Sequence, residues 1–298
     1  MKIFITGGSG FIGTSLSAYF LTNGHTVVAV GGRDAGKTLS HPNLKYISAD
    51  TTKKGSWQEE LKDIDAAVNL AGRSIFKRWN ERYKQNIYDS RIITTRNLVE
   101  AIPAGKNIIL CTTSAAGYYG DRWEDILTES EPSGSDFLAK VCRDWEEEAF
   151  KAKDKGVRVA AMRFGVVLGR GGGALEKMIP PIRFFVGGPI GNGRQWFPWI
   201  HIEDLISAIM FVLENKAVNG PLNFTAPEST RNIELVKTIA GILHRPAFMP
   251  APSFMIRLIL GEFGSSILAS QRVIPDKLLR YGFEFKYPDI RSAVSNII

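Results

Sequence analysis

Residues 2–13 read Lys-Ile-Phe-Ile-Thr-Gly-Gly-Ser-Gly-Phe-Ile-Gly. Lys2 to Ile5 is a short apolar run, Thr6 to Gly13 is a glycine-rich turn, and Ser15 to Leu21 has helical periodicity. A strand, a glycine turn and a helix in that order build a site for a pyrophosphate. The glycines let the backbone turn tightly and approach the phosphates, and the helix N-terminus offers free N–H groups and a positive dipole end. A second strand, Thr26 to Val30, follows at the distance a dinucleotide-binding unit requires. Gly7, Gly10, Phe11, Ile12 and Gly13 are therefore expected at a bound dinucleotide.

The same alternation continues. Strands are expected over 2–5, 26–30, 45–48, 66–70, 107–113 and 158–163, and helices over 11–23, 80–102 and 135–154. Strands separated by helices imply a parallel sheet. The runs Ala66-Ala67-Val68-Asn69-Leu70 and Ile108-Ile109-Leu110 suit strands covered on both faces. The pattern changes after Arg163. Residues 169–173 and 187–193 read as glycine-rich loops, Ile202 to Leu213 as a helix and Leu222 to Thr225 as a late strand. The expected fold class is α/β, a doubly wound parallel Rossmann sheet with a smaller C-terminal substrate lobe. Residues 1–169 would form the dinucleotide-binding domain, completed by about 200–225, and 170–298 the smaller lobe.

Bulk properties narrow the function classes. The chain has 298 residues, is 44% apolar and carries a net charge of +7, which suits a ligand bearing phosphates. Its basic residues are scattered rather than striped, so a nucleic-acid partner is not expected, and Lys151, Lys153 and Lys155 read as the solvated end of a helix. No run is long enough to span a bilayer, so no membrane partner is expected. The first strand and glycine loop stand where a secretory signal would be, so a cytoplasmic setting is expected. Cys111 and Cys142 read as packed residues and not as a disulfide framework, and the four histidines are too dispersed for a metal site.

The end of the second strand selects the cofactor. Gly31 and Gly32 leave room, and Arg33 can pair with a 2′-phosphate, with Lys37 assisting. NADP(H) is therefore expected ahead of NAD(H), although Asp34, one residue on, could take the acidic role of an NAD site. Asp50, after the third strand, either meets the adenine edge or caps the turn at Thr51 and Thr52.

Gly7-x-x-Gly10-x-x-Gly13 preceded by Thr6 resembles the extended short-chain dehydrogenase/reductases, and Asn69-Leu70-Ala71-Gly72 resembles their Asn-x-Ala-Gly. The resemblance implies that Leu70, Ala71, Gly72, Arg73, Phe164 and Gly165 line the cofactor site. It also implies a catalytic Ser or Thr, with a Tyr and a Lys spaced Tyr-x-x-x-Lys one helical turn apart. Aligned on Tyr119-Gly120, the hydroxyl position falls on Ala115, with Ser114 one residue early; Phe137 and Val141 stand where Tyr and Lys belong, and Lys140 is one residue early. Ser114, Tyr118, Tyr119 and Lys140 are the remaining catalytic candidates, Tyr118 being preferred as acid/base with Ser114 orienting a carbonyl. The stretch from Gln195 to His201 resembles the motif that precedes a substrate-binding aromatic-Ile-His segment, with Phe197 in the place of an Arg. Arg194, Trp196, Phe197 and Trp199 are the substrate-site candidates.

These departures, together with Lys77-Arg78-Trp79-Asn80, Asp89-Ser90-Arg91, residues 165–173, residues 187–191 and the tail segments 271–275 and 282–285, resemble the atypical "epimerase family protein" group with its C-terminal domain of unknown function. That resemblance implies an NADP-binding short-chain fold and no particular substrate. Two functions fit: an NADP-dependent oxidoreductase or epimerase acting on a small molecule, or a catalytically degenerate NADP(H)-binding redox sensor or scaffold. A homodimer through the helices near 80–102 and 135–154 is expected by analogy.

Overall fold

The structure, a computed structural model, describes residues 1–32 and 39–298. Seven strands form the central sheet: β1 (Lys2–Thr6), β2 (Thr26–Gly31), β3 (Leu44–Ser48), β4 (Ala66–Asn69), β5 (Ile109–Ala115), β6 (Arg158–Phe164) and β7 (Gly220–Phe224). Their spatial order is β7-β6-β5-β4-β1-β2-β3, and every pairing is parallel. β1 lies between β2 and β4, so the chain leaves the carboxyl ends of β1 and β4 in opposite directions. That divergence opens a crevice at the sheet edge, the usual ligand position in this architecture.

Both faces of the sheet are buried, which is why its strands are continuous apolar runs. Ile3, Ile5, Val27, Ala29 and Val68 pack on one side with Leu16 and Phe20 of α1 (Phe11–Thr22). Phe4, Val28, Val30, Ala67 and Leu110 pack on the other with Trp57, Leu61 and Leu98. The alternation along each strand follows from side chains pointing to opposite faces.

Two long helices flank β5. In α2 (Glu81–Ala101) the N-cap Asn80 accepts from the Tyr83 N–H at 2.8 Å, and in α3 (Phe137–Phe150) Asp136 accepts from the Ala139 N–H at 2.9 Å. The segment expected as one helix to residue 154 instead turns 3₁₀ over Lys151–Lys155 and stops at Gly156, where φ is 77°. Lys155 is not a solvated charge. Its ammonium donates to the carbonyls of Val99, Glu100 and Ile102 and so closes the C-terminal end of α2.

Beyond β6 the glycine-rich stretch 169–173, expected as a loop, contributes to a three-stranded sheet. Val166–Gly169 pairs with Gly172–Gly173 and with Trp199–His201. Helices α4 (Leu175–Arg183) and α6 (Asn232–Leu243) and the last helix, Ile290–Ile297, enclose a third core around Leu168, Trp199, Leu235 and Val294. Helix α5 (Ile202–Glu214) returns to the main core through Leu205, Ile209 and Val212. Two short helices, α7 (Ser253–Leu260) and α8 (Glu262–Leu268), lean over the start of α2 and α3, where Phe263 meets Trp79 and Ile87. No helix among the described residues is long and apolar enough to cross a membrane.

Candidate functional site

At the carboxyl ends of the strands lie a polar crevice of about 870 Å³ and an apolar cavity of about 440 Å³, and Leu70 and Gly72 border both. The crevice is lined by Gly7, Gly10, Gly31, Gly32, Asp50, Leu70, Ala71, Gly72 and Arg73, all expected there. Arg33 and Lys37 lie outside the described residues. Thr51, Thr52, Ser90 and Thr94 also line it and were not among the residues expected at the site.

The glycine turn is built for close approach. Gly7 sits at φ 69° and its carbonyl accepts the Gly10 N–H at 2.9 Å. Gly10 is the N-cap of α1, gives no side-chain cap and is followed by no acidic residue in the first turn. The first N–H groups of α1 are therefore left for an outside acceptor, as an anion requires. A Cβ on Gly13 would collide with the Gly7 carbonyl oxygen and come within 2.8 Å of Gly8 Cα. Gly13 thus serves the fit of helix against turn. Asn69 locks the end of β4: its carbonyl oxygen accepts from Thr6 at 2.6 Å, and its amide donates to Thr95 at 2.8 Å and Thr112 at 3.2 Å. Asp50 makes the turn contact that the sequence left as one of its two readings, and it also lines the crevice. It accepts from the Thr52 hydroxyl at 2.7 Å, a bond that holds its carboxyl below the ordinary range, with Arg73 adding a weaker pull.

The apolar cavity takes Phe11 and Ile12 from α1, Thr113 and Ser114 from β5, and Phe164 and Gly165 at the end of β6. Helix α3 presents Leu138, Val141, Cys142 and Trp145 to it. Phe137 packs elsewhere, with its ring 5.4 Å from that of Trp79. Of the two positions where Tyr and Lys were expected, Val141 lines the cavity and Phe137 does not; Leu138, Val141, Cys142 and Trp145 are the residues that α3 turns to the cleft. Burial pushes the Cys142 thiol up to about 12, so it is a packed, protonated group.

Of the four catalytic candidates only Ser114 lines the cavity. Its hydroxyl donates to Glu146 Oε1 at 2.6 Å, and Glu146 in turn holds the Arg163 fork through Nε and Nη2, each at 2.8 Å. The Ser114 proton is thus committed to a buried ion pair. Tyr119 is buried. Its hydroxyl donates to Asn223 Oδ1 at 2.7 Å and accepts from Arg163 at 3.0 Å, and burial pushes its pKa up to about 12. Tyr118 lies outside the cavity lining, with Arg163 Cζ 3.5 Å from its ring centroid. Lys140 points outward on α3 and pairs with Asp144 at 2.5 Å. Thr113, which the sequence did not single out as a candidate, lines the cavity with a buried hydroxyl that has no hydrogen-bond partner among the described residues. An orphaned hydroxyl there fits a ligand with a polar edge.

The aromatic segment 196–199 is mostly turned away from this cavity. Trp199 is buried with its indole N–H on Thr230 Oγ1 at 3.0 Å, and Phe197 packs on the third core. Trp196 donates to Glu124 at 2.9 Å and lies between Arg231 and Arg272. Arg194 meets its surroundings through backbone, its N–H on Asn192 and its carbonyl on Arg231. Pro198 and Gln271 reach the cavity instead.

The pattern of the NAD dependent epimerase/dehydratase family matches residues 3–224, and that of a domain of unknown function (DUF1731) matches residues 251–297. The chain is 40% identical over 301 residues to epimerase family protein YfhF of Bacillus subtilis, covering 100% of this chain and 98% of that one. It is 38% identical over 302 residues to the chloroplastic epimerase family protein SDR39U1 homolog of Arabidopsis thaliana, covering 100% of this chain and 87% of that one. The crystal structure of human epimerase family protein SDR39U1 (isoform 2) with NADPH superposes with a TM-score of 0.87 at 34% identity, covering 100% of this chain and 99% of that one.

Proposed function

The chain belongs to the NAD dependent epimerase/dehydratase family, and we propose that it is an NADP(H)-dependent oxidoreductase of a small, largely apolar molecule. The observation that carries this reading is the continuity of the two cavities. A polar crevice over the α1 N-terminus leads past Leu70 and Gly72 into an apolar cavity at the ends of β5 and β6. The N–H groups of the first turn of α1 would hold the diphosphate, Asp50 the adenosine side and Phe164, Gly165 and Thr113 the nicotinamide end. NADP(H) supplies a hydride when bound. The residues around that end exclude water, which strengthens every polar contact made inside. They do not supply the usual phenol and ammonium, because the residues α3 turns to the cleft are Leu138, Val141, Cys142 and Trp145.

NADP(H) in preference to NAD(H) rests on Arg33 and on the human relative, crystallised with NADPH. Calorimetric titration tests it: NADPH binds more tightly than NADH, and Arg33→Ala removes the difference. Equal affinity for the two cofactors would refute the assignment. A second reading, a cofactor-holding sensor without turnover, is favoured by the same Leu138 and Cys142. Screening NADPH oxidation against carbonyl compounds and activated alkenes separates the two, since a sensor turns over none of them.

A further inference from the structure

Arg91 is the one side chain of the motif Asp89-Ser90-Arg91 that reaches the apolar cavity. Its guanidinium lies over the Trp145 ring, with Cζ 5.2 Å from the centroid, and against the backbone of Gly72, where an added Cβ would stand 3.0 Å from Cζ. Nη1 donates to the carbonyls of Arg73 at 3.1 Å and Ile87 at 3.0 Å. Those two bonds fix the plane of the group. Among the described residues, Nε and Nη2 have no acceptor and no carboxylate forms an ion pair with Arg91. Arg163 and Arg158, by contrast, are paired, while Arg122 and Arg272 each leave a buried Nε without a partner among the described residues but do not line this cavity. Arg163 has Glu146, and Arg158 donates to four backbone carbonyls.

A guanidinium held in place by one nitrogen, with its Nε–Nη2 edge unpaired, matches the geometry of a bidentate carboxylate acceptor. Desolvation already acts against its charge, and an anion relieves that penalty more than a neutral group does. Most of the rest of the lining is apolar, with Ile75, Phe76, Leu138, Phe164, Phe263 and Ile267, and its polar members are Thr113, Ser114, Asp136, Ser266 and Gln271. Gly72, at the junction with the polar crevice, is required for the guanidinium to lie where it does.

We propose that Arg91 is the anchor for the carboxylate of an apolar organic acid whose body fills the cavity beside the nicotinamide end of the cofactor. The proposal names the substrate class of the function put forward above and rests on that reading for the cofactor's position. The binding site itself is a property of the protein alone.

The test titrates benzoate, cinnamate and octanoate, each beside its neutral amide, into the protein with and without saturating NADPH. At least one carboxylate binds at least about tenfold more tightly than its amide, the scale of a hydrogen bond to a charged group. Arg91→Gln removes that preference while leaving NADPH affinity within about twofold, and Arg91→Lys restores part of it. The proposal is overturned if carboxylates and amides bind alike, if Arg91→Gln keeps the preference, or if Arg91→Gln weakens NADPH as much as it weakens the acid. That last result would assign the guanidinium to the cofactor. Absence of NADPH binding by the unaltered protein overturns the cofactor reading instead, and the carboxylate preference is then read on the protein alone.

Discussion

Replacing Glu146 by Gln removes the charge that holds two parts of the site. Glu146 and Arg163 are both buried, and the fork between them is two bonds of 2.8 Å. A third bond, from Ser114, is 2.6 Å. Gln keeps one acceptor oxygen and turns an NH₂ group toward a donor. Arg163 then keeps the Tyr119 hydroxyl and the Tyr118 ring as partners but has no compensating charge. Breaking a buried pair on one side costs about 3–5 kcal/mol, a large part of the usual 5–15 kcal/mol of folding stability. The remaining partners place the expected loss near the lower end. With a urea dependence of about 3 kcal/mol per molar for a chain of this size, the midpoint falls by about 1 M. Urea melts followed by tryptophan fluorescence measure it. Arg163→Met should cost a similar amount, and the double variant Glu146→Leu with Arg163→Met should be more stable than either single change, because neither charge is then stranded. A midpoint shift under about 0.3 M for Glu146→Gln, or a double variant as unstable as the sum of the singles, would refute the account of this network.

The glycine turn separates binding from folding. A Cβ at Gly10 stands 3.2 Å from the Gly7 carbonyl oxygen and meets no other atom within 4 Å, whereas one at Gly13 collides with that oxygen. Gly10→Ala should therefore fold normally and bind NADPH at least about tenfold more weakly, while Gly13→Ala should lose about 1–3 kcal/mol of stability as well; calorimetry and melting read the two effects apart. His201 is buried, and its Nδ1 accepts the Glu203 N–H at the start of α5. Burial lowers its pKa, so between that value and about 6.5 the unfolded chain holds more protons and stability rises with pH. Melting temperature should fall as pH drops through this window, and His201→Asn, which keeps an N-cap acceptor without a titrating ring, should flatten the dependence. The chain should also associate through α2 and α3, and light scattering at tens of micromolar should give twice the mass of one chain.

Much of the sheet was readable because each part had a local cause. The glycine turn, the apolar strands and the helix following each of them are short-range patterns, and Gly7, Gly10, Gly31, Gly32, Asp50 and Leu70 to Arg73, which line the polar crevice, came with them, whereas Thr51, Thr52, Ser90 and Thr94 did not. The catalytic end was less readable because it depends on the rotation of one helix. The resemblance of the helix put Phe137 and Val141 at the Tyr and Lys positions; Val141 lines the cavity, yet Phe137 finds Trp79 and Lys84 beside α2. The signal that places α3 correctly is its own stripe: Leu138, Val141, Cys142, Trp145 and Ala149 recur at helical spacing and include every cleft-facing position. A buried Glu in that helix also needed a cation, and Arg163 lies one strand away. Arg91 could not be assigned from sequence, because an arginine on a helix is ordinarily a solvated charge. Only the structure shows it packed between Gly72 and Trp145 and lining a cavity. Likewise Trp196, Phe197 and Trp199 looked like a pocket in one dimension, and the small-sheet pairings of their strands sent most of them into cores and surface stacks.

A crystal structure of the protein with NADPH tests the central claim most directly. The diphosphate should lie on the N–H groups of Phe11 and Ile12 at the start of α1. The nicotinamide should lie in the apolar cavity between Thr113 and Phe164, with Leu138 and Cys142 facing it and no tyrosine hydroxyl in hydrogen-bond reach of its C4 region. A diphosphate bound away from the α1 N-terminus, or a nicotinamide lying outside that cavity, would contradict it.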